Sequence, residues 1–204
     1  MSNISIEKQI LKIIRGHGSG WVFTPRDLTT LGDPRSVGMA LTRLVRKGKI
    51  RRLARGLYDY PRQHPTLGSL VPSPDVIAKA IAGRYAIRLQ PSGAYAANLL
   101  GLSDQIPMRI VFLTDGPSRR IQVGKQQIIL KHTTPQNMMT AGAISGLVIQ
   151  ALRHLGKQYV DDSMITLLNR NLNKMEKMQL LKDLRHAPAW IARIMRQVAE
   201  PAEA

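Results

Sequence analysis

The sequence contains no cysteine among its 204 residues. That excludes disulfides, thiolate nucleophiles and cysteine-based zinc sites, and it fits a reducing compartment. Aromatic residues make up only 4 % of the chain, so a core must be built from Ile, Leu, Val, Met and Ala, which an apolar fraction of 44 % supplies. Long apolar runs are also missing. The longest weakly polar stretch, Ala141 to Leu152, falls well short of the roughly 18 residues that a membrane helix needs. The first residues lack the charged-then-apolar pattern of a secretory signal. These absences lead to the expectation of a soluble, cytoplasmic protein with no membrane partner.

Acids are scarce. Asp plus Glu number 13 against 30 Lys plus Arg, a formal charge of +17. Such an excess attracts polyanions, nucleic acid first and anionic membrane second. It also leaves few carboxylates for general acid–base chemistry or metal binding. The five histidines, His17, His64, His132, His154 and His186, are scattered without metal-ligand spacing. Asp161-Asp162 is the one acid pair, and adjacent residues do not share a helix face; the pair reads as the cap of a helix starting at Ser163. Gly116-Pro117-Ser118 before Arg119-Arg120 reads as a solvated turn to which Asp115 belongs, with phosphate binding by the Arg pair as the alternative. No Gly-rich phosphate loop, Walker lysine, nucleophile elbow or HExxH motif is present. The expectation is a protein that is not an enzyme and has no cofactor, no metal and no catalytic residue.

The positive charge is concentrated. Residues 1–64 hold 13 Lys/Arg and 4 Asp/Glu, and the peak lies from Arg43 to Arg55, where seven basic residues stand with no acid among them. The local pattern explains where that charge sits. Ile6, Ile10, Ile13 and Ile14 form one apolar stripe of an amphipathic helix, stopped by Gly16 and Gly18. Trp21-Val22-Phe23 is a short strand. Thr24-Pro25 opens a short second helix ending near Leu31-Gly32, and Asp33-Pro34 opens a third over about 34 to 47. The third helix buries Val37, Leu41, Leu44 and Val45 and leaves Arg35, Ser36, Met39, Thr42, Arg43 and Arg46 on the opposite face. After Gly48, the runs Ile50–Leu53 and Leu57–Tyr60 flank Ala54-Arg55-Gly56, a hairpin signal.

Helix, short strand, helix, helix, hairpin is the plan of a winged helix-turn-helix. A helix fits the DNA major groove, and a basic hairpin fits phosphates or the minor groove. Arg35, Ser36, Met39 and Arg43 are therefore placed at base edges, and Arg46, Lys47, Arg51, Arg52 and Arg55 at phosphates, with Arg55 at the wing tip. Tyr58 and Tyr60 read as packing groups of the wing, and Trp21 as core. Three other readings of the basic run stay open: a solvated face, a module docking on an acidic protein or RNA, and the docking arm of an enzyme that acts on nucleic acid.

Residues 63–73, with Pro65 and Pro72 and with Pro61 and Pro74 at the margins, read as an extended linker. Residues 74–132 alternate helix and strand. A helix runs from Ser73-Pro74-Asp75 to Gly83, a strand covers Ala86 to Leu89, and a small-residue helix opens at Pro91-Ser92. Three strands follow, over 109–114, 119–123 and 127–132. Continuous apolarity in Ile110–Leu113 predicts a central, doubly covered strand. From Ala141 onward four helical patterns follow, the last from Pro188, and 200–204 reads as a disordered tail. The expected fold class is α+β: a winged helix-turn-helix over 1–62, a linker over 63–73, and a small mixed α/β domain with C-terminal helices over 74–199.

The segment Ser36 to Pro61, SVGMALTRLVRKGKIRRLARGLYDYP, resembles the N-terminal winged helix of the AbiEi-like antitoxins of abortive-infection toxin–antitoxin systems. Leu41-Thr42-Arg43-Leu44 to Gly48 matches that family's L-x-R-L-x-x-x-G pattern, and Arg55-Gly56-Leu57-Tyr58 its R-G-x-Y. Pro91 to Leu102, PSGAYAANLLGL, is similar to the start of the family's second domain, and the resemblance covers about residues 5 to 135. It implies a transcriptional regulator that binds inverted repeats upstream of its own gene, as an oligomer on DNA, and represses its operon. It also implies a nucleotidyltransferase-like toxin as partner. The alternative is a stand-alone regulator, or a protein- or RNA-binding module with no toxin.

Overall fold

A computed structural model of the chain describes residues 5–83 and 87–200. The expected 200–204 tail lies, but for Glu200, outside the described residues, as does Ala86 of the strand expected at 86–89. The architecture is α+β, in two compact units: Met1–Tyr85 with Ile121–Gly124, and Ala86–Arg120 with Lys125–Ala204.

In the first unit, helix α1 (Ile6–His17) starts where Ser5 accepts a hydrogen bond from the Lys8 amide, and it buries Ile10 and Ile14 as the stripe requires. Strand β1 is Val22–Phe23. The second helix is a 3-10 helix over Pro25–Leu31, not an α-helix. Its start is held by the Asp27 carboxylate, which accepts from both the amide and the hydroxyl of Thr24 at 2.8 and 3.0 Å. The Thr29 hydroxyl reaches back three residues to the Arg26 carbonyl, the spacing of the tighter helix.

Helix α2 (Pro34–Arg46) is capped by Asp33, whose Oδ1 accepts from the amides of Arg35 and Ser36, both at 3.0 Å. Strands β2 (Arg51–Ala54) and β3 (Leu57–Asp59) form a hairpin whose turn needs the left-handed conformation of Gly56, φ 72°. The sheet order is β1-β3-β2, all antiparallel, so β3 is central and its residues are buried. Ile10, Ile14, Phe23, Leu28, Leu41, Leu44 and Tyr58 form one apolar core between α1, α2 and this sheet. Trp21 is half-buried against that core, stacked between His17 and Phe23 with ring centroids 3.9 and 4.6 Å apart.

The expected linker is not wholly extended. Strands β4 (Gln63–His64) and β5 (Gly68–Ser69) pair within it, and His64 Nδ1 accepts from the amides of Thr66 and Leu67. Helix α3 (Pro74–Ala82), expected to open the second domain, groups with the first unit and packs against β1. Its apolar face of Ile77, Ala78 and Ile81 is buried there.

Strands β6, β7 and β9 of the second unit lie in a sheet of order β6-β7-β9-β8, of which β8 has only Arg119 and Arg120 in that unit. Strand β6 (Leu89–Ser92) runs antiparallel to β7 (Arg109–Thr114), and β7 parallel to β9 (Gln126–His132); β8 is Arg119–Val123. Strand β6 extends three residues later than expected. It includes Pro91, which an edge strand tolerates because one side needs no amide donor. Strand β7 is internal, as its apolar run predicts, and buries Ile110 and Phe112 beside Ile128 and Leu130 of β9. Helix α4 (Gly93–Leu99) lays Ala96 and Ala97 against α5 (Ile144–Leu155). A Cβ on Gly146 of α5 would stand 2.3 Å from both the Gln90 side chain and the Thr140 carbonyl, so only glycine permits this approach of α5 to β6.

Helices α6 (Asp162–Asn171), α7 (Lys174–Lys182) and α8 (Ala189–Ala199) close a helical core of Val148, Leu152, Leu168, Leu180, Ile191 and Met195. Asp161 caps α6, accepting from the Met164 amide at 3.0 Å and the Ser163 hydroxyl at 2.6 Å. Among the described residues no helix is long and apolar enough to cross a membrane.

Candidate nucleic-acid interface

The exposed face of α2 follows from its buried one. With Val37, Ala40, Leu41 and Leu44 turned into the core, residues 35, 38, 39, 42, 43 and 46 must face outward at the helical period. The hairpin then sets Arg52 and Tyr58, which are register partners on β2 and β3, beside that face. The result is an open hollow of about 530 Å³ in the first unit. Arg35, Arg43, Arg46 and Arg52 contribute four guanidinium groups to its lining, with Met39, Thr42, Gly38, Pro34 and Tyr58 between them, and no acid. Such a surface attracts a chain of phosphates, and planar guanidinium forks match phosphate oxygens or guanine edges.

Of the nine residues expected at DNA, five line this hollow: Arg35, Met39, Arg43, Arg46 and Arg52. Ser36 does not. It is half-buried and serves the Asp33 cap, and hydrogen bonding from Ser36, first through its side chain, holds the Asp33 carboxyl below its usual range. Arg55 is exposed at the hairpin turn, outside the hollow. Lys47 lies beyond the hollow and donates to Glu7 of α1 at 2.5 Å, while Arg43 reaches the other Glu7 oxygen at 3.5 Å. Lys47 and Arg43 are four residues apart, one helical turn, so a single carboxylate meets both. The Lys47 hydrogen bond is the main cause that holds the Glu7 carboxyl below its usual range.

Arg51 already has partners within the protein. Expected at phosphate, its guanidinium is committed inward: Nε and Nη2 donate to the two oxygens of Asp59, and Nη2 also donates to the Leu70 carbonyl at 2.7 Å. The reason is register. Arg51 pairs with Asp59 across β2 and β3, and Asp59 is fully buried, so its charge must be met from within.

Four lining residues are not among the expected site residues: Pro34, which opens α2, and Gly38, Thr42 and Tyr58. Thr42 stands on the exposed face of α2, and its hydroxyl turns back to the Gly38 carbonyl at 2.9 Å. Tyr58, expected to pack within the wing, is 8 % exposed yet borders the hollow. Gly38 gave a usable signal, since an interior helical glycine is costly without a reason. A Cβ there would meet nothing within 4 Å. Among the described residues no cluster of His, Asp and Glu has the makings of a metal site.

No curated protein matches the chain in sequence. A family model does, across residues 9–180, which takes in the whole of α2, its hairpin and most of the second unit. The chain therefore belongs to the family of unknown function DUF6088.

Proposed function

We propose that this protein is a DNA-binding transcriptional regulator whose first unit is a winged helix, with α2 as its recognition helix and β2–β3 as its wing. The observation that carries the reading is the hollow along α2, where four guanidinium groups converge with no acid. The element order and the β1-β3-β2 sheet, which sets the hairpin beside α2, support it. In this reading Arg35, Met39 and Arg43 meet base edges, while Arg46, Arg52 and Arg55 hold phosphates.

The resemblance of residues 36–61 to AbiEi-like antitoxins supports a finer proposal. The protein works in the cytoplasm, without catalysis, as the antitoxin of a toxin–antitoxin pair. It represses its own operon through upstream inverted repeats and counters a nucleotidyltransferase-like toxin. Fluorescence anisotropy on DNA from upstream of the gene, against scrambled duplex across a salt series, tests the DNA reading. Tighter binding to the upstream DNA that persists at moderate salt is expected. Equal and steeply salt-dependent binding to both duplexes would reduce the basic face to generic affinity and overturn the operator reading.

A further inference from the structure

The second unit carries a separate hollow of about 540 Å³ where β7 and β9 end. These neighbouring strands are parallel, with Thr114 in register with His132, so both chains leave the sheet at the same edge. The carboxyl ends of parallel strands are where open α/β sheets take ligands, and a hollow of this volume holds a small molecule. It is lined by Arg88, Asp115, His132, Thr133, Thr134 and Pro135.

The polar groups there are arranged in one sense. Both Asp115 oxygens are occupied by Arg88, Oδ1 by its amide at 2.9 Å and Oδ2 by Nε at 2.8 Å. Arg88 Nη1 donates to the Met138 carbonyl at 3.1 Å. Two bonds thus fix the guanidinium and a third fixes its backbone; the side chain is still half exposed, and Nη2 has no partner among the described residues. His132 Nδ1 stands 3.0 Å from the Gly116 carbonyl. A carbonyl only accepts, so Nδ1 carries the hydrogen and Nε2 is the ring atom left for a ligand. The Thr133 hydroxyl accepts from Asn137 Nδ2 at 2.9 Å and keeps its own hydrogen to donate, and the Thr134 hydroxyl has no partner among the described residues. The one acid is satisfied and the remaining valences are mainly donors, a set that suits a ligand rich in acceptor oxygens.

We propose that this hollow binds a small phosphorylated ligand, with the phosphate on Arg88 Nη2 and the hydroxyls of Thr133 and Thr134, and a phosphate hydroxyl donating to His132 Nε2. The pre-held guanidinium lowers the ordering cost of binding. The site is independent of the first unit's hollow and of the DNA reading.

Calorimetric titration of the full chain with inorganic phosphate and with adenosine monophosphate, at matched ionic strength in chloride, tests it. Saturable one-site binding is expected. It should be lost in Arg88→Lys, which keeps the charge but not the fork, weakened in Thr134→Val, and retained in Arg46→Ala, which removes a guanidinium from the first unit. A preference of about tenfold or more for the nucleotide would name a mononucleotide as the source, and equal affinity the phosphate group alone. Circular dichroism establishes that each variant folds. Unsaturable binding would overturn the proposal, as would binding unchanged in folded Arg88→Lys and Thr134→Val, or binding lost in Arg46→Ala instead.

Discussion

Arg51 and Asp59, register partners on β2 and β3, form a two-pronged ion pair, Nε to Oδ1 at 3.1 Å and Nη2 to Oδ2 at 2.6 Å, with the carboxylate fully buried. Removing the cation strands the anion. Arg51→Ala is expected to cost about 2–3 kcal/mol of stability, below the figure for a fully buried pair because the Arg51 side chain is 31 % exposed. Denaturant unfolding measures it. A stability loss under about 0.5 kcal/mol, within the range of an ordinary surface substitution, would show that the pair does not hold the hairpin.

Glu7 links α1 to Lys47 and Arg43 of α2, and its carboxyl is held below the ordinary value of 4.5. A depressed folded value means that the link contributes stability above pH 4.5 and loses it as pH falls through the folded value. Asp33, Asp115 and Asp161, each held below 3.8, act in the same direction in the same acid window. Thermal unfolding from pH 7 to pH 3 should therefore show a falling midpoint, and Glu7→Gln should fall less. An identical pH slope in the variant would dismiss Glu7 as a contributor.

The same substitution frees two cations beside the proposed DNA face. Glu7→Gln is expected to tighten binding to any duplex and to steepen the salt dependence by up to about one phosphate contact. Anisotropy across a salt series reads both effects. Weaker binding in the folded variant would mean that Glu7 positions Arg43 and does not merely compete for it.

Gly38 lies within α2, and a methyl group there meets nothing in the protein. Gly38→Ala should add about 1 kcal/mol of stability, from the intrinsic helix preference of alanine. It should also weaken duplex binding, because the added methyl group narrows the hollow where DNA would approach. Higher stability with unchanged affinity would place the DNA contact elsewhere on α2.

Arg43 is the most direct test of base reading. Arg43→Ala should cost about 1–3 kcal/mol on the preferred duplex and relax discrimination between sequences. Competition anisotropy with single-base variants of the site measures this. Equal losses on preferred and random DNA would reassign Arg43 to phosphate.

Much of the first unit was legible in the sequence because its signals are local. The Asp33-Pro34 start, the stripe of Val37, Leu41 and Leu44, and the Arg55-Gly56 turn each depend on residues within a few positions of one another. The exposed face of α2 followed at once from its buried one. The strand near residue 89 was less legible, since a short segment with a proline carries little periodicity, and its pairing with β7 was decided by a partner some twenty residues away.

The sequence alone determined the charge, the helix starts and stops, and which face of each helix was apolar, because composition, capping and periodicity act between near neighbours. Only the tertiary structure decided what each cation does. Arg51 faces a buried carboxylate, Lys47 faces Glu7 from another helix, and Arg88 is clamped by Asp115. Partners 8 to 40 residues apart in the chain meet only after strands pair and helices dock. Whether an arginine is committed or open to a ligand depends on where those distant carboxylates come to rest.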